Sequence, residues 1–123
     1  MLAIAADIAV MVVAALHLWF LVLEMFLWDK PLGRRTFGMT PERAAATRSL
    51  AMNQGLYNGF LAAGLFWGVF AGDDVKIFFL ACVIVAGVFG ALTASRKILW
   101  VQAVPGVIAL LLVLLRPGPL AGT

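Results

Sequence analysis

The sequence predicts an all-α fold that crosses a bilayer four times, an up-down four-helix bundle with both termini outside. Three observations predict it. The chain has 123 residues, 64% of them hydrophobic and 12% charged, more apolar surface than a soluble domain of this size can hide. Four apolar segments, about 2–28, 49–71, 75–93 and 98–115, each approach the roughly 20 residues that a spanning helix needs. The basic residues are also unevenly placed between the connections. Runs this long satisfy their backbone in lipid as helices. One integral membrane domain, residues 1–123, is expected.

The first span runs to Trp28-Asp29-Lys30-Pro31, where Trp suits the interface and Pro is expected to stop the helix. The run is too long for the apolar core of a signal peptide and no Lys or Arg precedes it, so none is expected. Residues 29–48 form the first basic connection, with a loop at 32–39 carrying Gly33 and Gly38 around Arg34-Arg35. Thr40-Pro41-Glu42 reads as a helix start: Thr as N-cap, Pro at the first helical position, an acid in the first turn. The second helix therefore begins about two turns before its membrane segment. Gly72-Asp73-Asp74 is a tight turn, and 94–97 a second one. After Leu115, Arg116-Pro117-Gly118-Pro119 cannot be helical and is expected to be loose.

Charge sets the orientation. Lys30, Arg34, Arg35, Arg43, Arg48, Arg96 and Lys97 fall on one side and Lys76 and Arg116 on the other, seven against two. The positive-inside rule places the seven in the cytoplasm. The net charge of +3 is read as topology and not as an affinity for nucleic acid. The lipid bilayer is the first expected partner.

Polar residues inside the spans are few, and their depths agree. Counted from Trp28 at 1.5 Å per residue, Glu24 is about 6 Å deep and His17 about 16 Å. Counted from Ser49, Asn53 and Gln54 are about 6–8 Å deep and Asn58 about 13 Å. On the fourth span Gln102 is about 6 Å deep. His17, Leu21, Glu24 and Trp28 share one stripe of the first helix; Asn53, Gln54, Tyr57 and Asn58 cover an arc of about 140° on the second. That arc is expected to face the bundle, making a polar pocket in the cytoplasmic half. A carboxylate at such depth costs about 2.5–3.5 kcal/mol on insertion scales, so it is retained with a partner or a task.

Glu24 and His17 are the candidate catalytic or proton-handling groups, since an imidazole gives and takes a proton near neutral pH. Asn53, Gln54, Tyr57, Asn58, Gln102 and Trp28 would orient a small amphipathic ligand, with Arg48 at the mouth. The plainer readings are a His17 ring hydrogen-bonded to a neighbouring carbonyl, and a neutral Glu24 carboxyl bonded to Gln54 or Gln102. Amides can also simply join helices, at about 0.6 kcal/mol each. Arg34 and Arg35 are accounted for by topology, with a lipid headgroup as the alternative. One His, one Glu and the mid-span Cys82 make no metal set, and no bis-His haem, Ser-His-Asp arrangement or phosphate loop is present. The sequence leaves the cofactor unknown. Gly55/Gly59 and Gly64/Gly68 are G-x-x-x-G pairs that allow close packing within the chain or in a homo-oligomer through the second helix. Asp7 suits the start of the first helix.

The motifs His17-x6-Glu24-Met25-Phe26, Arg34-Arg35-x-Phe37-Gly38 and Asn53-Gln54-Gly55-x-Tyr57-Asn58-Gly59 resemble a family of small four-span bacterial membrane proteins catalogued as a domain of unknown function. The resemblance covers nearly the whole chain. It implies four spans and the bacterial inner (plasma) membrane, and no activity. A looser similarity is to the membrane-associated eicosanoid and glutathione metabolism proteins, carried by Glu42-Arg43, Arg48 and Asn53. That pattern would imply a glutathione pocket, but Asn53 stands about a turn too far along and Leu56 replaces an acid. A third comparison, with the small multidrug transporters, rests on one Glu in the first span; the charge bias here argues for one fixed orientation. Three functions follow as expectations: a binding or catalytic membrane protein for a small amphipathic molecule, a proton-coupled exporter using Glu24, or a structural membrane subunit.

Overall fold

A computed structural model describes residues 1–116. Among these residues the chain is all helical: α1 (Leu2–Met25), α2 (Pro31–Phe37), α3 (Pro41–Ala71), α4 (Asp73–Thr93), a π-helical segment (Leu99–Ala103) and α5 (Val104–Leu115). The expected loose tail falls on residues 117–123, outside the described residues. Two helices, α1 and α4, are long and apolar enough to cross a membrane; the π segment with α5 makes a shorter apolar helix of residues 99–115. The 31-residue α3 is more polar, because it begins in the basic connection and carries the amides.

Two expectations are corrected. The segment 32–39 is mostly helix and not loop, so the described residues hold five α-helices, the short α2 among them. Pro31 does not stop α1, which has already ended at Met25; it opens α2 at a position where its missing N–H is not needed. Gly38, at φ 63°, closes α2 with its N–H on the Arg34 carbonyl. Gly33 is required for the fold of this connection, since a Cβ there would stand 1.9 Å from the Leu27 carbonyl oxygen. The fourth apolar segment is helical as expected, and its first turns are π-helical. Pro105 offers no N–H to the preceding turn and its ring crowds the carbonyl four residues back. The wider π turn just before it accommodates that defect.

The chain divides into two compact units. One comprises residues 15–62 and holds the second half of α1, α2 and the first half of α3. Here the Thr40 hydroxyl accepts from the Arg43 N–H at 3.2 Å, the cap expected at this helix start. Trp28 Nε1 donates to Thr47 Oγ1 at 3.0 Å, and its ring lies 4.8 Å from that of Phe37. The Arg48 guanidinium meets Asp29 at 3.7 Å.

The other unit contains residues 1–14 and the chain from 63 onward. Its buried apolar side chains include Ala6, Val10, Val13, Leu65, Leu80, Val83, Ala109 and Val113. Gly72, at φ 127°, makes the tight reversal between α3 and α4. Gly87 lets α4 approach Ala103, where a Cβ would stand 2.9 Å from the backbone nitrogen. The Gln102 amide donates to the Val83 carbonyl at 3.0 Å. Lys76 is buried, with Nζ 2.7 Å from Asp7 and 3.3 Å from Asp73. Arg116 Nη2 reaches Asp73 at 2.7 Å.

Candidate functional site

The candidate site lies in the unit of residues 15–62, where α1 and α3 touch. Their approach depends on glycine. A Cβ on Gly55 would stand 2.6 Å from Met25 Cγ and 3.1 Å from Glu24 Cβ, and one on Gly59 2.8 Å from Leu21 Cδ1. Both glycines therefore serve packing inside the chain. Asn58 lies three residues from Gly55 and one from Gly59, on the same side of α3. It is carried by that approach onto the last turn of α1, where its Nδ2 donates to Glu24 Oε1. Asn58 is buried and Glu24 half-buried.

The amide holds one oxygen of the Glu24 carboxyl and thereby the orientation of the group. His17 is fully buried, with its ring in an edge-to-face contact with Phe20 at 5.2 Å. It lies two helical turns before Glu24 on α1, on the stripe that passes through Leu21.

The other sequence-derived residues divide. Trp28 is tied to Thr47 and does not bond to Glu24 or Asn58. Arg48 pairs with Asp29 and keeps an exposed guanidinium. Asn53, Gln54 and Tyr57 lie on exposed faces of α3; Tyr57 is 54% exposed and meets the edge of Phe60 at 5.9 Å. Gln102 bonds to α4 backbone, so the reading that Glu24 is bonded to Gln54 or Gln102 is corrected: the bond goes to Asn58. Among the described residues no three His, Cys, Asp or Glu side chains gather as a metal site.

Sequence reasoning missed two polar residues. Thr47 holds Trp28, which only the helix register reveals. Lys76 enters the sequence reading only as one of the two basic residues of the outer side, whereas it is buried among acids. The signal was present in the i, i+3 spacing of Asp73 and Lys76.

The sequence profile of the family described as Protein of unknown function (DUF1304) matches residues 11–114, and the chain belongs to that family. The uncharacterised protein YpaA of Lactococcus lactis subsp. lactis (strain IL1403) is 27% identical to this chain over 106 residues, covering 82% of this chain and 89% of YpaA. No solved structure matches the chain.

Proposed function

We propose that this member of the DUF1304 family is an integral membrane protein that binds or converts a small amphipathic molecule at the Glu24–Asn58 pair. The reading takes α1, the membrane part of α3, α4 and the π–α5 segment as four spans. Their connections carry the seven-to-two charge bias that orients both termini outward. The observation that carries the reading is the hydrogen bond from a buried amide to a carboxylate inside an apolar helix. Lipid offers such a carboxylate no partner, and a carboxylate used only as glue could be replaced by another amide at lower cost. Glu24 would anchor a polar head or exchange a proton with it, and His17 would serve as a second proton-handling group deeper on the same helix. Gln54 and Tyr57, adjoining Asn58 on α3, would meet the rest of the ligand.

Native mass spectrometry of the gently solubilised full-length protein tests this, wild type beside Glu24→Gln. A small molecule retained by the wild type and lost from the variant supports the reading and identifies its chemical class. Equal, ligand-free spectra from two folded proteins reject it and leave a structural subunit or an exporter. Substrate-driven proton flux in liposomes, abolished in Glu24→Gln, would identify the exporter.

A further inference from the structure

We propose that α2 carries a binding site for a phosphate group, held by Arg34 and Arg35. The site is an open pocket of about 340 Å³ lined by Pro31, Arg34, Arg35, Gly38 and Met39. The first four of these stand three, one and three residues apart, the spacing that puts them on one side of a helix. The other side of α2 is held in place. Gly33 packs against the Leu27 carbonyl with no room for a Cβ, and the Phe37 ring lies 4.8 Å from that of Trp28. The two arginines therefore stand on an anchored helix and not on a free loop.

Arg34 supplies the observation that points to a ligand. Its Nε is buried and has no hydrogen-bond partner among the described residues. Among those residues neither Arg34 nor Arg35 makes an ion pair, and the neighbouring acid Asp29 is taken by Arg48. A guanidinium has five N–H donors and no acceptor, so two arginines side by side cannot satisfy each other. The pocket lining adds no acidic side chain. Orientation by charge asks only for basic residues on this side, and exposed ones meet it. It does not account for a buried N–H left unmet next to a second unpaired cation. A phosphate group accounts for both. Its oxygens engage two guanidinium forks at once, and its charge offsets the two like charges. A carboxylate, with two oxygens and one charge, fills a single fork. With a small rotation of the Arg34 side chain, one phosphate oxygen gives the Nε–H its acceptor. The pocket is roomier than a phosphate alone, which leaves Pro31 and Met39 for the carbon atoms of a phosphate ester. The site needs no depth in a bilayer and does not involve Glu24 or Asn58.

The test uses the full-length protein in a neutral detergent, with two probes. Equilibrium dialysis against labelled inorganic phosphate reads a soluble ligand. Native mass spectrometry of protein released from mixed phosphatidylcholine and phosphatidylglycerol vesicles reads a lipid headgroup. One of the two probes is expected to be retained, and which one identifies the source of the phosphate. Arg34→Gln and Arg35→Gln should each weaken that retention by about ten-fold or more, the range for a charge-assisted hydrogen bond. Arg34→Lys should weaken it too, since the charge remains and the fork is lost. Arg43→Gln removes the same charge from the same connection outside the pocket and should leave retention unchanged. Should Arg34→Gln fail to fold, the exposed Arg35 gives the second variant. Retention of neither probe by the wild type overturns the proposal. Equal weakening in Arg43→Gln also overturns it, since diffuse attraction by the basic connection would then be enough. Full retention in folded Arg34→Gln or Arg35→Gln does the same. Glu24→Gln should not change the retention of either probe, so this site and the proposed Glu24–Asn58 site fail separately.

Discussion

The Lys76 ammonium lies 2.7 Å from the Asp7 carboxylate, a contact between residues 69 apart that joins α1 to α4. Lys76 is buried whereas Asp7 and Asp73 are part-exposed, so the two ends of the network are unequal. Removing Asp7 takes the nearer partner from a buried cation and leaves it only Asp73, at 3.3 Å and shared with Arg116; removing the cation leaves acids that water or Arg116 can still satisfy. Asp7→Ala is therefore expected to cost about 2–3 kcal/mol and Lys76→Met about 1 kcal/mol. Thermal unfolding of both variants in one detergent checks the order. A Lys76→Met protein less stable than Asp7→Ala would refute the argument.

The approach of α1 to α3 sets a second expectation. A Cβ at Gly55 would meet a flexible Met25 side chain at 2.6 Å, which can move, and Glu24 Cβ at 3.1 Å, which cannot move freely. Gly55→Ala should be mildly destabilising, whereas Gly55→Val should cost about 1–3 kcal/mol by overpacking. The larger residue would also part Asn58 from Glu24, so it should abolish ligand retention as Glu24→Gln does. Retained ligand in Gly55→Val would detach the site from this contact.

The parts of the fold legible in the sequence were those decided locally. The Thr40 cap and the Gly72 reversal each depend on a few adjacent residues, and both stand where the pattern put them. Pro31 was ambiguous for the same reason: a proline after a helix and a proline at the start of the next look alike, and only the fold shows that α1 ends six residues earlier. The π turn before Pro105 was not legible because a proline inside a helix can be met by a kink, a break or a wider turn, and the sequence does not say which. The partner of Glu24 required the rotation of α3 about its axis. The information was there: Gly55 and Gly59 mark the side that another helix approaches, and Asn58 lies on that side while Asn53 does not. Treating all four polar residues as one pocket-facing arc concealed this division.

Thr47 offers a separate check on the start of α3. Its hydroxyl accepts from Trp28 Nε1 at 3.0 Å and donates to the Arg43 carbonyl at 2.8 Å. Thr47→Val keeps the shape and deletes the acceptor, leaving the part-buried indole N–H unmet. A loss of about 1 kcal/mol is expected. Trp28→Phe should make Thr47→Val nearly neutral, since the group left unsatisfied is then gone. An equal cost of Thr47→Val in both backgrounds would contradict the pairing.

The Glu24–Asn58 bond itself calls for a double-mutant cycle. Asn58→Leu leaves a half-buried carboxylate without its donor and should cost about 2–3 kcal/mol. Glu24→Leu leaves a buried amide unmatched and should cost about 1–3 kcal/mol. The double variant replaces both by apolar groups, so its cost should fall short of the sum by about 1–2 kcal/mol. Ligand retention distinguishes what stability alone does not. If the pair only joins two helices, the double variant regains stability and the retained species is unchanged throughout the cycle. If Glu24 holds a ligand, stability returns in the double variant while the ligand remains absent. Additive stability losses across the cycle would show that the two side chains do not support each other, and would remove the observation on which the proposed site stands.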